Sequence, residues 1–98
     1  MNYIVKMAHR TTQSSPTTEL GSVSVVVDFA GKCEATGELN PSAVRTAYDG
    51  MVSGRVASTF ARMKAVAWVA EYLMDNRFAT FRDDATGLEG YIEQSKNS

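Results

Sequence analysis

The sequence predicts an α+β fold, a largely antiparallel sheet in the order β-β-β-α-α-β-β with two helices packed on one face. Three observations lead there. Apolar residues alternate at period two near both ends of the chain, most clearly in SVSVVVDFA, as in strands with one buried face. Residues 40–76 carry two segments with apolar residues at the helical period instead. Strands grouped at both ends around a helical middle bury their apolar faces as a layer of helices on a sheet. The length of 98 residues and the apolar content of 44% suit one globular domain, residues 1–98, without internal repeats. A chain of this size buries roughly 60–70% of its unfolded surface, so the core is thin.

Tyr3, Val5 and Met7 alternate with Ile4, Lys6 and Ala8 to give the first strand. TTQSSPTTELG, residues 11–21, has no period and many hydroxyl side chains, and is expected to be a mobile loop. In SVSVVVDFA, Val23, Val25, Val27 and Phe29 point one way, and Ser22, Ser24, Val26 and Asp28 the other. β-Branched residues at that spacing fit a half-buried strand. Ala30-Gly31 turns the chain. KCEATGEL then returns as a third strand with Cys33 and Ala35 on one face, its edge guarded by Glu34 and Glu38.

Asn40-Pro41 starts a helix: Asn caps the free amides, and Pro takes the first helical position, where its missing N–H does no harm. Leu39, just before the cap, can staple onto Val44. Val44, Ala47, Tyr48, Met51 and Val52 form one apolar face, and Gly54 is the expected C-terminal cap. A longer helix follows, with Ser58 as expected N-cap and Asp75-Asn76 near its end. FATFR then reads as a strand, DDATG as a hairpin connection with Gly87 in the left-handed position, and LEGYIE as the returning strand. The competing possibility, a capping box of Thr86 and Glu89 opening a short helix, is disfavoured by Gly87 and Gly90. The tail, residues 94–98, is expected to fray.

The long helix has apolar residues on two sides. Phe60, Met63, Val66, Ala67, Ala70, Leu73 and Met74 share one broad face; Ala61, Ala65, Trp68 and Tyr72 form a second stripe almost opposite. The broad face is expected to pack on the sheet: Val44, Met51, Phe60, Met63 and Leu73 over Val23, Val25, Val27 and Phe29. The second stripe then has three destinations: the neighbouring helix at Tyr48, a second copy of the chain in a homodimer, or a foreign protein anchored by Trp68 and Tyr72.

Sites for chemistry are sparse. His9 has no orienting partner nearby in sequence, and nothing local makes Cys33 its nucleophile. One His and one Cys do not build a zinc site in a monomer, Asp83-Asp84 lacks the spaced ligands of a calcium loop, and the glycines form no phosphate loop. The expectation is no enzyme, no cofactor and no metal. A single cysteine, an N-terminus with early cations and no apolar run of membrane-spanning length point to a cytoplasmic protein with no membrane partner.

Charge is uneven. The middle of the chain carries Arg45, Arg55, Arg62 and Lys64 against Asp49, while residues 71–98 carry Glu71, Asp75, Asp83, Asp84, Glu89 and Glu93 against Arg77, Arg82 and Lys96. The net charge of −1 gives no global basic excess for nucleic acid. By elimination the chain is expected to be a non-catalytic protein-binding module. Its partner-binding candidates are Trp68, Tyr72, Ala61 and Ala65 on the helix, and Asp83, Asp84, Glu89 and Glu93 in the acidic hairpin. The alternatives are a nucleic-acid-binding module using Arg45, Arg55, Arg62 and Lys64, and a small enzyme subunit completed by another chain. In general character the chain resembles small phage-encoded inhibitors of bacterial defence, anti-CRISPR proteins among them. That likeness implies an inhibitor or adaptor that occupies a surface of a larger complex.

Overall fold

Seven elements run along the computed structural model, which describes residues 1–37, 39–49, 53–75 and 78–95. They are β1 (Asn2–His9), β2 (Thr18–Val27), β3 (Cys33–Thr36), α1 (Pro41–Ala47), α2 (Gly54–Asp75), β4 (Thr80–Asp83) and β5 (Leu88–Gln94). The five strands make one sheet in the order β3-β2-β1-β5-β4, every neighbour antiparallel, with the helices on one face. This is the α+β arrangement that the sequence predicts. β1 is central, flanked by β2 and β5, so both ends of the chain are held in the middle of the sheet.

β2 buries Leu20, Val23, Val25 and Val27 while Ser22, Ser24 and Val26 face water. The step from Leu20 to Val23 breaks the period because a bulge interrupts the register between Met7 and Ala8. Gly21, at φ +118°, supplies the backbone conformation it needs. Residues 18–21, expected in the loop, are therefore strand, and the loop is shorter. At its other end β2 stops at Val27. Asp28 Oδ1 accepts from the amides of Ala30 and Lys32, both at 2.9 Å, and Gly31 takes φ +81°. This turn swings Phe29 out of the expected core into full exposure.

Asn40 caps α1 as expected, accepting from the amides of Ser42 and Ala43, and Leu39 and Val44 on either side of it are both buried. The helix ends at Ala47. The expected positions Met51 and Val52 lie outside the described residues. Gly54 begins α2 instead of capping α1, and Ser53 takes the role expected of Ser58, its Oγ accepting from Val56 N at 3.3 Å. The hairpin between β4 and β5 forms as expected, with Gly87 at φ +76° and its amide donating to Asp83 O at 2.8 Å. The capping-box alternative gives way to a strand through Gln94. Ser95 N still donates to Asn2 O, so pairing runs into the expected tail, of which residues 96–98 are outside the description.

The largest correction concerns α2. Its buried residues are Ala57, Ala61, Ala65, Trp68 and Val69: the second stripe, not the broad face, lies on the sheet. Tyr72 extends that stripe and meets Tyr3 edge-on, ring centroids 6.1 Å apart. The inner sheet face is already filled by Tyr3, Val5, Met7, Leu20, Val23, Val25, Val27, Leu88 and Ile92. Close packing then selects the small side of the helix, because alanines let its axis approach a layer of large side chains. Trp68 fits because β5 offers Gly90 below it. A Cβ there would fall 2.7 Å from Trp68 Cε3 and nearer still to Cζ3. The indole also stacks on Phe81, at 6.1 Å and 15°. Most of the broad face turns to water: Met63 is 67% and Met74 89% exposed and Leu73 is exposed, while Phe60 and Val66, half-buried, still pack against the core.

Candidate interaction surface

His9 ends β1 with its ring 5.0 Å from that of Tyr48. Cys33 pairs with Val27 beside the start of β1, so the two stand at opposite ends of the sheet and cannot act together. Burial, and then Asp28, push the Cys33 thiol above its ordinary range, which lowers its thiolate content and its nucleophilicity.

The acidic residues of the C-terminal hairpin are brought together on β4 and β5, but each meets a cation. Glu89 Oε1 accepts from Arg10 and from Arg82, both at 2.6 Å, and Asp84 accepts from Arg82 Nε at 2.7 Å. Arg82 also donates to Arg10 O at 2.8 Å, tying the end of β1 to the hairpin. Hydrogen bonding to Asp84, then to Glu89, holds the Arg82 guanidinium protonated beyond its usual range. Asp83 accepts from Thr86 Oγ1 at 2.9 Å and lies 3.5 Å from Lys64 Nζ. The Thr86 hydroxyl is the main cause of its lowered pKa, with Lys64 adding to it. Glu93 pairs with Lys6 at 3.4 Å on the open face of the sheet. The cluster is a web of ion pairs rather than a free acidic patch.

The basic residues divide. Arg62 donates to Ala35 O at 3.1 Å, Lys64 faces Asp83, and Arg45 and Arg55 lie exposed near the junction of the two helices. Arg55 and Arg62 line a shallow cavity with Leu39, Pro41, Gly54, Ser58 and Thr59, whereas Lys64 is on the far side of α2. The four do not form one phosphate-tracking row. Of the helix candidates, Ala61, Ala65 and Trp68 are buried against the sheet, and Tyr72, half-buried, is the one that keeps surface open to a partner.

The apolar surface that is presented lies on the other side of α2. Val56, Phe60, Met63, Ala67, Ala70 and Met74 recur at alternating spacings of four and three, which sets them along one seam on the side of α2 turned away from the sheet, with half-buried Phe60 at its edge still packed against the core. Val56, Met63, Ala67 and Met74 are exposed. The seam continues to exposed Phe78, which with Met74, Glu71, Tyr72, Asp75 and Phe81 lines an apolar cavity of about 330 Å³. A second, smaller group comprises Met1, Val26 and the fully exposed Phe29 near the turn between β2 and β3.

Comparison with known protein families, curated proteins and solved structures finds no match. The surface must therefore be judged on its own chemistry.

From Val56 to Met74 the helix rises about 27 Å, and a strip of side chains about 10 Å wide covers on the order of 300 Å². A patch of that size is as large as the largest apolar patch on many monomeric proteins, which is often functional. Sequence reasoning saw most of these residues but assigned them to the core. The available signal was size: of two opposed stripes, the one rich in alanine suits a valine-rich sheet. No helix among the described residues is long and apolar enough to cross a membrane.

Proposed function

We propose that this chain is a non-catalytic protein-binding module that works through the outer face of α2, as an inhibitor or adaptor seated on a larger assembly. One observation carries the reading: a helix of 22 residues, already packed on its sheet by one side, keeps a continuous apolar seam on the side facing water. Leaving such a seam in water forgoes roughly 25 cal/mol for each Å² of apolar surface that a partner would cover. The alternative of nucleic-acid binding draws less support, since Arg55 and Arg62 line one side of α2 and Lys64 lies on the other, so no single row of cations tracks a phosphate backbone. The general likeness to phage-encoded anti-defence proteins belongs with this reading, as a kind of work and not as a relationship.

The test is capture of partners from the native host by the wild type and by Met63→Glu/Met74→Glu. The substitutions lie on the exposed face, so the melting temperature of the dilute protein should move little. A protein retained by the wild type in high salt and lost by the variant supports the reading. Capture that collapses as salt rises would point to phosphate contacts and overturn it.

A further inference from the structure

The outer seam of α2 has a symmetry that identifies its occupant. Read in either direction its centre gives a methionine and an alanine, Met63 and Ala67 from one end, Met74 and Ala70 from the other. The two methionines and the two alanines are each equidistant from a point between Trp68 and Val69. A two-fold interface needs such a pattern, because each residue must suit its counterpart when one copy is turned onto the other. We infer that the outer face of α2 binds a second copy of this chain, with the two α2 helices packed antiparallel about that point. This rests on the reading that the seam is a protein interface; a second copy occupies it in the free protein, and a larger assembly would have to displace that copy to use the same face.

Three further features agree. The alternating spacings of four and three are those of a helix packed on another helix, where seam residues enter the holes of the facing helix. Around the centre, Ala67 of one copy meets Ala70 of the other, and small residues there let the two backbones approach. At each end Met63 meets Met74, and Phe60 reaches toward the cavity beside Met74 and Phe78. Charge is complementary as well. Lys64 and Glu71 lie on the same flank of the seam, on either side of its centre, and the axial offset between Lys64 of one copy and Glu71 of the other is about two residues, roughly 3 Å. Antiparallel packing therefore sets Lys64 of each copy beside Glu71 of the other. The Lys64 ammonium has three donors, enough to keep Asp83 at 3.5 Å and donate to a second carboxylate.

The strip of about 300 Å² per copy falls short of the roughly 800 Å² per partner of a standard stable interface. The dimer should therefore dissociate on dilution. It would leave outward the open face of each sheet, with Val26, and the Phe29 turns.

Sedimentation equilibrium of the wild type is expected to show a mass rising from one chain toward two with concentration. Met63→Glu should remain a single chain throughout, with an unchanged melting temperature in dilute solution. The orientation is read by cross-linking in a Cys33→Ser background. Met63→Cys mixed with Met74→Cys should form a disulfide-linked pair, and Met63→Cys alone should not. A wild type that is one chain at every concentration, a dimer that Met63→Glu leaves intact, or efficient self-linking of Met63→Cys would each overturn the inference. A monomeric wild type that still loses its captured partner on Met63→Glu/Met74→Glu would sink the dimer alone and leave the protein-binding reading standing. If the mutation alters neither mass nor capture, both fall.

Discussion

Trp68 rests on the one position of β5 that has no Cβ, and this single pairing sets how closely α2 approaches the sheet. Gly90→Ala would drive a methyl group into the indole and against Val5 Cγ1, which a Cβ would approach to 3.2 Å. Overpacking of this kind costs about 1–3 kcal/mol. Trp68→Ala removes the stack on Phe81 and opens a hole in a thin core, a loss of about 3–5 kcal/mol. The two changes should not add. With the indole gone the new methyl has room, so the double variant is expected to recover about 1 kcal/mol or more relative to the sum. Denaturant midpoints of the four proteins measure this, and strict additivity would mean that Trp68 does not lie over Gly90. A glycine inside a strand signals a close approach even from sequence. Which side chain approaches was not legible, because the partner comes from a helix more than twenty residues earlier and is chosen by the tertiary fit.

β2 shows what period alone can and cannot specify in an element. Val25 and Phe29 fall on the same side of one alternation, yet Val25 is fully buried and Phe29 fully exposed. The difference is local turn chemistry: the Asp28 carboxylate draws in the amides of Ala30 and Lys32 and ends the strand two residues before Phe29. Val25→Asp should therefore unfold the chain, since it buries an unpaired charge between β1 and β3. Phe29→Asp should shift stability by no more than about 0.5 kcal/mol. Circular dichroism melts of the two variants decide it, and a folded Val25→Asp or an unfolded Phe29→Asp would contradict the described end of the strand. The same limit explains α2. Its period made the helix legible, but with apolar residues on both sides the period could not say which side faces the sheet. The volume already supplied by the sheet decides that, and sequence spacing does not carry it.

At the scale of the whole molecule, strand order turns a list of charges into a network. The acidic residues of the hairpin were legible as a group, but their neutralisation was not. It depends on β5 lying between β1 and β4, which brings Lys6 and Arg10 to Glu93 and Glu89 from the opposite end of the chain. The same packing fixes how stability should vary with pH. Asp83 titrates below its ordinary value in the folded state, through Thr86 first and Lys64 with it. Its contribution is present above the unfolded carboxylate value, about 3.9, and is lost as pH falls through the folded one. At the alkaline end the signs reverse. Burial, with Asp83 adding to it, raises the Tyr48 phenol, and burial, with Tyr72 and Cys33, raises that of Tyr3. Their contributions are full below the unfolded value of about 10 and are lost as pH rises through the folded values. Cys33, raised by burial and Asp28 from an unfolded value of about 8.5, begins the decline. Denaturant midpoints of dilute protein from acid to alkali should thus trace a plateau between these limbs. Asp83→Asn should flatten the acid limb. Tyr48→Phe should soften the alkaline limb and, because the Tyr48 hydroxyl is buried with no hydrogen-bond partner among the described residues, raise stability at neutral pH by up to about 1 kcal/mol. An alkaline limb as steep in Tyr48→Phe as in the wild type would show that this phenol is ionised as readily folded as unfolded.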